Sequence, residues 1–162
     1  MPSPPRTVIA ANASYVPTCV VPNSAFLAGT LLDSAGRPFA KSNEEIVAQL
    51  KAITGIRERR YVEDHQVTSD IALAASRAAL ERSGVDPESL DLIIVAHNFG
   101  DVAADNRRSD FVPSLAARVK HGLAIEDPWS VAFDVAFGCP GWLQGVLLAH
   151  GAIRLGEARR AL

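Results

Sequence analysis

Cys139 is the side chain in this sequence best placed to do covalent chemistry. It stands in Phe137-Gly-Cys-Pro-Gly141, between an apolar strand-like run and a long apolar helix-like run. The thiolate is the reactive form of cysteine, and the start of a helix favours it. Unpaired N–H groups and the helix dipole stabilise negative charge there. Pro140 suits the first helical position, where a missing N–H costs little. Gly138 and Gly141 let backbone and substrate come close, and N–H groups of the same turn can form one wall of an oxyanion hole. The corner therefore suits acyl transfer through a thioester. By position alone, a buried and inert cysteine is an equally good reading.

Other reactive side chains have less context. Cys19 lies among turn residues. His150 is eleven residues beyond Cys139 on the same helix face, but such a separation rises about 16 Å, which excludes it as a base for the thiol. His97 ends a strand and can border a pocket; His65 and His121 have no surrounding pattern. The Phe-Gly-Cys-Pro-Gly run half matches the G-x-S-x-G elbow, with Phe137 in place of the first glycine. No spacing fits a metal site.

The elements that must position Cys139 can be read from hydrophobic periodicity. Residues 91–97 (DLIIVAH) read as a strand buried on both faces, the kind found in parallel sheets. Residues 130–135 read as the next strand. Residues 113–121 read as an amphipathic helix with Leu115, Ala116 and Val119 inward. Residues 68–84 read as a helix capped by Thr68, with a small-residue face of Ile71, Ala72, Ala75, Ala78 and Ala79, and ended by Gly84. Ser42-Asn-Glu-Glu45 is a capping box that opens a helix closed by Gly55. Residues 7–15 suggest a short strand, 17–37 mostly turns, and 56–66 a charged, solvated loop. Residues 98–110 form a polar loop with a basic pair, Arg107 and Arg108. The order indicates an α/β fold. The helix over 140–155 is apolar nearly all round and holds Gly145 and Gly151, so it should be buried on more than one side. Residues 157–162 look like a turn into a further strand, and the apolar helix has no obvious cover within these residues.

Composition narrows the class. The 162 residues are 48% hydrophobic and 21% charged, with a net charge of −2. That is enough apolar material for a core, and it lacks the basic balance of a nucleic-acid binder. No run is long enough for a membrane span, and no secretory signal is visible. Two cysteines far apart suggest no disulfide framework, so a reducing cytoplasm is the expected compartment.

Several stretches together resemble one family. Thr54-Gly-Ile-Arg-Glu-Arg59, the 68–84 helix, Asp91-Leu-Ile-Ile-Val95, Pro113-Ser114 and Phe133-Asp-Val-Ala-Phe-Gly-Cys-Pro-Gly141 resemble, in order and spacing, the N-terminal half of β-ketoacyl-acyl carrier protein synthase III, of the thiolase superfamily. The resemblance covers about residues 7–162. It implies a thiolase-like α/β half of a layered αβαβα architecture, with residues 1–162 as the N-terminal half-domain and a C-terminal half outside this chain. It implies that Cys139 is the nucleophile. Phe137, Gly138, Gly141 and Asn98 are the candidate substrate-binding residues. The family's histidine and asparagine, which assist decarboxylation of a malonyl thioester, belong to the second half; none of the four histidines here stands in for them. No cofactor is implied, since acyl-CoA or an acyl carrier protein thioester is a substrate. Implied partners are acyl carrier protein, and a second copy as homodimer or a C-terminal half.

Two departures bear on the donor. Members using acetyl-CoA carry a tryptophan and an arginine where this chain has Gln49 and Ile53, which gives weight to a carrier-bound or longer acyl donor. The loop over 98–112 is longer than usual, in a region that the resemblance places near the dimer interface and pocket floor. Arg57, Arg59, Arg60, Arg107, Arg108, Arg159 and Arg160 are candidates for a basic surface toward an acidic carrier. Two alternatives remain open at this point: a non-catalytic half that assembles with a catalytic partner, and a cysteine hydrolase on another α/β fold.

Overall fold

The computed structural model describes residues 6–106 and 108–162. Arg107, one of the basic pair, lies outside the described residues. The chain divides into two compact units, residues 16–63 and the remainder.

The smaller unit pairs β1 (Cys19–Pro22) antiparallel with β2 (Glu58–Tyr61). Helix α1 (Asn43–Thr54) lies between them in sequence. Ser42 caps α1: Glu45 N–H donates to Ser42 Oγ and the Glu45 carboxylate accepts from Ser42 N–H. Gly55 ends it with φ of 70°, the left-handed conformation that favours glycine. Two expectations change here. Residues 19–22 and 58–61 are strands, not turn and loop. The sequence shows no alternation there because the ribbon is largely exposed on both faces, so neither face demands apolar residues. Arg60 pairs with Glu58, and Arg59 donates to Asn23 and lies over the Phe26 ring. The apolar residues Val47 and Leu50 of α1 line a small open hollow of about 210 Å³ with Phe26, Leu31, Ile56 and Tyr61.

The larger unit holds a parallel sheet. Strands β3 (Leu92–His97) and β4 (Val131–Ala136) run in register from Leu92 opposite Val131 to His97 opposite Ala136. Residues 160–162 add to the other side of β3. Leu92 N–H donates to Arg160 O, Leu162 N–H to Leu92 O, and Ile94 N–H to Leu162 O. Ala161 stands opposite Leu92 as an isolated parallel bridge, so this segment is extended against β3 where a further strand was expected. Asp91 holds its approach, accepting from the N–H groups of Arg159 and Arg160.

Alternate residues of β3 face opposite ways, and the two faces carry different helices. Ile93 packs with Leu80 of α2 (Thr68–Ser83) and with Ala116 and Val119 of α3 (Leu115–Gly122). Ile94 and Ala96 face α4 (Gly141–Leu155), where they approach Gly145 and Gly141. Leu115, Ala116 and Val119 are wholly buried, as their spacing predicts. Each large aliphatic side chain so buried contributes about 1.5–3 kcal/mol. Gly84 ends α2 with φ of 65°.

Several boundaries and environments differ from expectation. Residues 7–15 form no strand: they have no ladder partner among the described residues, and backbone groups without one do not make a sheet. Thr68 is the first residue of α2 and Val67 its cap; Val67 N–H donates to Asp70, while Thr68 Oγ1 donates to Gly100 O. Pro140 caps α4 rather than opening it. The main difference is α4 itself. Within this chain it is not covered on several sides. Trp142 is 69% exposed, Leu147 55% and Leu155 76%. Only its sheet-facing glycine, Gly141, is buried, and nothing approaches Gly151. Among the described residues, no helix is long and apolar enough to cross a membrane.

Candidate functional site

Strands β3 and β4 are neighbours, but the segments that follow them lead to helices on opposite faces. In open α/β sheets, ligands bind at the carboxyl ends of such a pair, where the diverging connections leave a crevice. An open hollow of about 460 Å³ lies at that edge. One wall comes from the β4–α4 corner: Phe137, Gly138, Cys139, Gly141 and Trp142. The other comes from the end of β3 and its loop: Ala96, His97, Asn98, Phe99, Gly100 and Val102, with Thr68 beside them.

The five residues singled out from the sequence, Cys139, Gly138, Gly141, Phe137 and Asn98, all line this hollow. Cys139 is exposed and free. Gly141 sets its height above the sheet. A Cβ at Gly141 would stand 3.1 Å from the Ala96 Cβ and 3.5 Å from the Phe137 Cβ, so the first turn of α4 lies almost on β3. Cys19 is in the other unit, on β1. His150 is exposed and bonds to Thr7 Oγ1 at 2.9 Å, consistent with its exclusion as a base.

The loop wall rests on buried polar contacts that sequence reasoning missed. His97 is 7% exposed. Its Nδ1 accepts from Gly100 N–H at 2.9 Å, and its Nε2 lies 3.0 Å from Asp134 Oδ2. Asp134 also accepts from Leu115 N–H and Ala116 N–H at 2.7 and 2.8 Å, so one β4 carboxylate holds the start of α3. A second carboxylate, Asp101, accepts from Ser69 N–H and Oγ at the start of α2 and from Arg118 of α3. Arg118 also reaches Asp110 at 2.8 Å. That hydrogen bond holds the Asp110 carboxyl below the ordinary aspartate range and raises the arginine in turn. Asp101 and Asp110 exchange backbone bonds as well, which closes the loop into a short bridge. The available signal was an aspartate inside the apolar run Phe133-Asp-Val-Ala136. A charged residue in a half-buried strand requires partners.

Neither ring nitrogen of His97 is free to act as a base on Cys139, because both are engaged. Among the described residues, no group of three His, Cys, Asp or Glu side chains is gathered as for a metal ion. Of the seven candidate basic residues, Arg59 and Arg60 are tied within the smaller unit. Arg57, Arg108, Arg159 and Arg160 are exposed.

Comparison with known proteins agrees with this geometry. No protein-family model matches the chain. β-Ketoacyl-acyl-carrier-protein synthase III of Rhodospirillum rubrum is 34% identical over 157 residues, 97% of this chain and 42% of the relative. The chain is a homologue of synthase III. The crystal structure of 3-oxoacyl-acyl-carrier-protein synthase III from Aquifex aeolicus superposes with a TM-score of 0.74 at 27% identity, covering 96% of this chain and 43% of that one. A priming β-ketosynthase of a polyketide pathway superposes with a TM-score of 0.72 at 26% identity, covering 98% and 41%. The α/β, thiolase-like fold expected from the sequence is thus the fold observed. The chain spans about two fifths of the length of these synthase III relatives.

Proposed function

We propose that these residues are the acyl-accepting, N-terminal thiolase-like half of a synthase III-type condensing enzyme. The observation that carries this reading is an exposed, free cysteine at the start of a helix, lining a hollow at the carboxyl edge between two parallel strands. The Cys139 thiolate attacks the carbonyl of an acyl thioester, from acyl-CoA or an acyl carrier protein. The first-turn N–H groups of α4 beyond Gly141, whose own N–H is taken by Gly138 O, are the candidate donors to the developing oxyanion. The donor leaves as its thiolate, and the acyl group stays on Sγ. A malonyl thioester then loses CO₂, and its enolate attacks the acyl–cysteine carbonyl. A 3-oxoacyl thioester forms and Sγ is released. The groups that assist decarboxylation are assigned to residues outside these 162. Phe137, Gly138, Gly141 and Asn98 bind the acyl thioester; the aromatic lining from Phe99, Phe137 and Trp142 suits an acyl chain.

The 3-oxoacyl thioester fits a step in fatty-acid or polyketide-like secondary-metabolite synthesis, and the compartment that fits is the cytoplasm. Acyl carrier protein, or a second copy as homodimer, are the partners the reading calls for. A hydrolase acting through this chain alone is disfavoured, because the one histidine lining the hollow is engaged at both nitrogens. The test is intact-mass spectrometry of the full-length protein after incubation with acyl-CoA and with acyl carrier protein thioesters. A single acyl adduct on Cys139, absent from Cys139→Ala, supports the reading. No adduct, or condensation that survives Cys139→Ala, overturns it and favours a non-catalytic half.

A further inference from the structure

His97 touches both walls of the Cys139 hollow. Its backbone carbonyl accepts from Phe137 N–H at 3.0 Å, which ties the end of β3 to the residue two before the thiol. Its Nδ1 accepts from Gly100 N–H at 2.9 Å, which ties the same residue to the opposite wall. An amide N–H can only donate, so Nδ1 carries no proton. A neutral ring then keeps its proton on Nε2, where it donates to Asp134 at 3.0 Å. Asp134 is itself fixed by two N–H groups of α3.

The turn held by His97 has no slack. Gly100 has φ of +72°, and a Cβ there would stand 2.5 Å from the Asp110 carbonyl oxygen. Its own carbonyl accepts from Thr68 Oγ1. The Phe111 ring lies 5.7 Å from the imidazole, centroid to centroid. We infer that His97 is a positioning residue: in the Nε2–H tautomer it fixes the separation between the Gly100 wall and the Cys139 wall. This inference rests on the acyl-accepting reading of Cys139. Its chemistry is not proton transfer. It works by keeping Gly100, and with it Phe99 and Val102, at one distance from the sulfur.

Two substitutions separate the two ring contacts. Asparagine places an acceptor near the Nδ1 position and can keep the Gly100 bond. Glutamine places an NH₂ near the Nε2 position and can keep the Asp134 bond while losing Gly100. The full-length protein is expected to show the Nε2–H tautomer of His97 in multiple-bond ¹H–¹⁵N spectra. Second-order rates of Cys139 acylation by acyl-CoA, and of alkylation by iodoacetamide, are then compared. His97→Asn should keep the wild-type acylation rate within about threefold. His97→Gln should lose about tenfold or more, since small misplacements of binding groups carry penalties of this order or larger. An Nδ1–H tautomer, or a Gln variant that acylates as fast as the Asn variant, overturns the inference. If His97→Gln does not fold, the tautomer and the Asn variant decide it. If the wild type takes no acyl group, the acyl-accepting reading fails instead. The tautomer, and iodoacetamide alkylation of Cys139 that differs between His97→Gln and His97→Asn, then still carry the wall-setting role; an Nδ1–H tautomer or equal alkylation rates overturn it.

Discussion

At the scale of single residues, the thiol is exposed while the glycine two positions later is buried against β3. The two should respond differently to substitution. Cys139→Ala should abolish acyl adduct formation yet change unfolding free energy by no more than about 0.5 kcal/mol, as for other exposed side chains; mass spectrometry and urea unfolding together check this. Gly141→Ala adds a methyl 3.1 Å from the Ala96 Cβ. That carbon is fixed to a strand and cannot give, so overpacking should cost about 1–3 kcal/mol. It should also slow acylation by lifting the helix start off the sheet. The Cys139 corner was legible because strand, turn glycines, proline and apolar helix follow one another in sequence. The His97–Asp134 pair was not. It is made by register across two strands, between residues 37 apart, and no local spacing encodes it.

At the scale of elements, legibility followed burial. Strands β3 and β4 and helix α3 have faces that must be apolar, and their patterns gave them away. The capping box of α1 was equally plain, since Ser42 and Glu45 satisfy each other's backbone N–H groups. Strands β1 and β2 were not visible, because a ribbon exposed on both faces imposes no alternation. Asp134 shows how one side chain joins elements: it accepts from Leu115, Ala116 and His97. Asp134→Ala should cost about 2–3 kcal/mol, combining a lost helix cap with a buried histidine left unpaired, measured as a fall in the urea midpoint. The open face of α4 is the element-level feature that composition anticipated and the structure leaves uncovered in this chain. The 162-residue chain should therefore bind a hydrophobic dye such as ANS, and Leu147→Gln with Leu155→Gln should reduce that binding; unchanged fluorescence would count against an open face.

At the scale of the whole molecule, carboxylates with a lowered pKa link stability to acidity, Asp33 beside Arg37 among them. Backbone N–H groups of Arg159 and Arg160 lower the Asp91 pKa below the ordinary 3.8, and the arginine bond from Arg118 does the same for Asp110. A carboxylate whose folded pKa is depressed favours the folded state fully above its unfolded value. That contribution is lost as pH falls through the folded pKa. Urea midpoints should therefore drop as pH is lowered below about 4, and Asp91→Asn should flatten part of that drop. Asp91 matters at this scale because it anchors residues 159–160, which bring the last described strand segment onto β3. The seat of Gly141 on Ala96 has an evolutionary consequence as well. The sulfur's position is set by helix-on-strand packing, whereas the facing wall belongs to a loop that the Asp101–Asp110 bridge closes on itself. Insertions beyond that bridge can reshape the far wall without displacing the nucleophile. The seat of the nucleophile and the loop beyond the bridge are thereby separate segments, free to diversify at different rates.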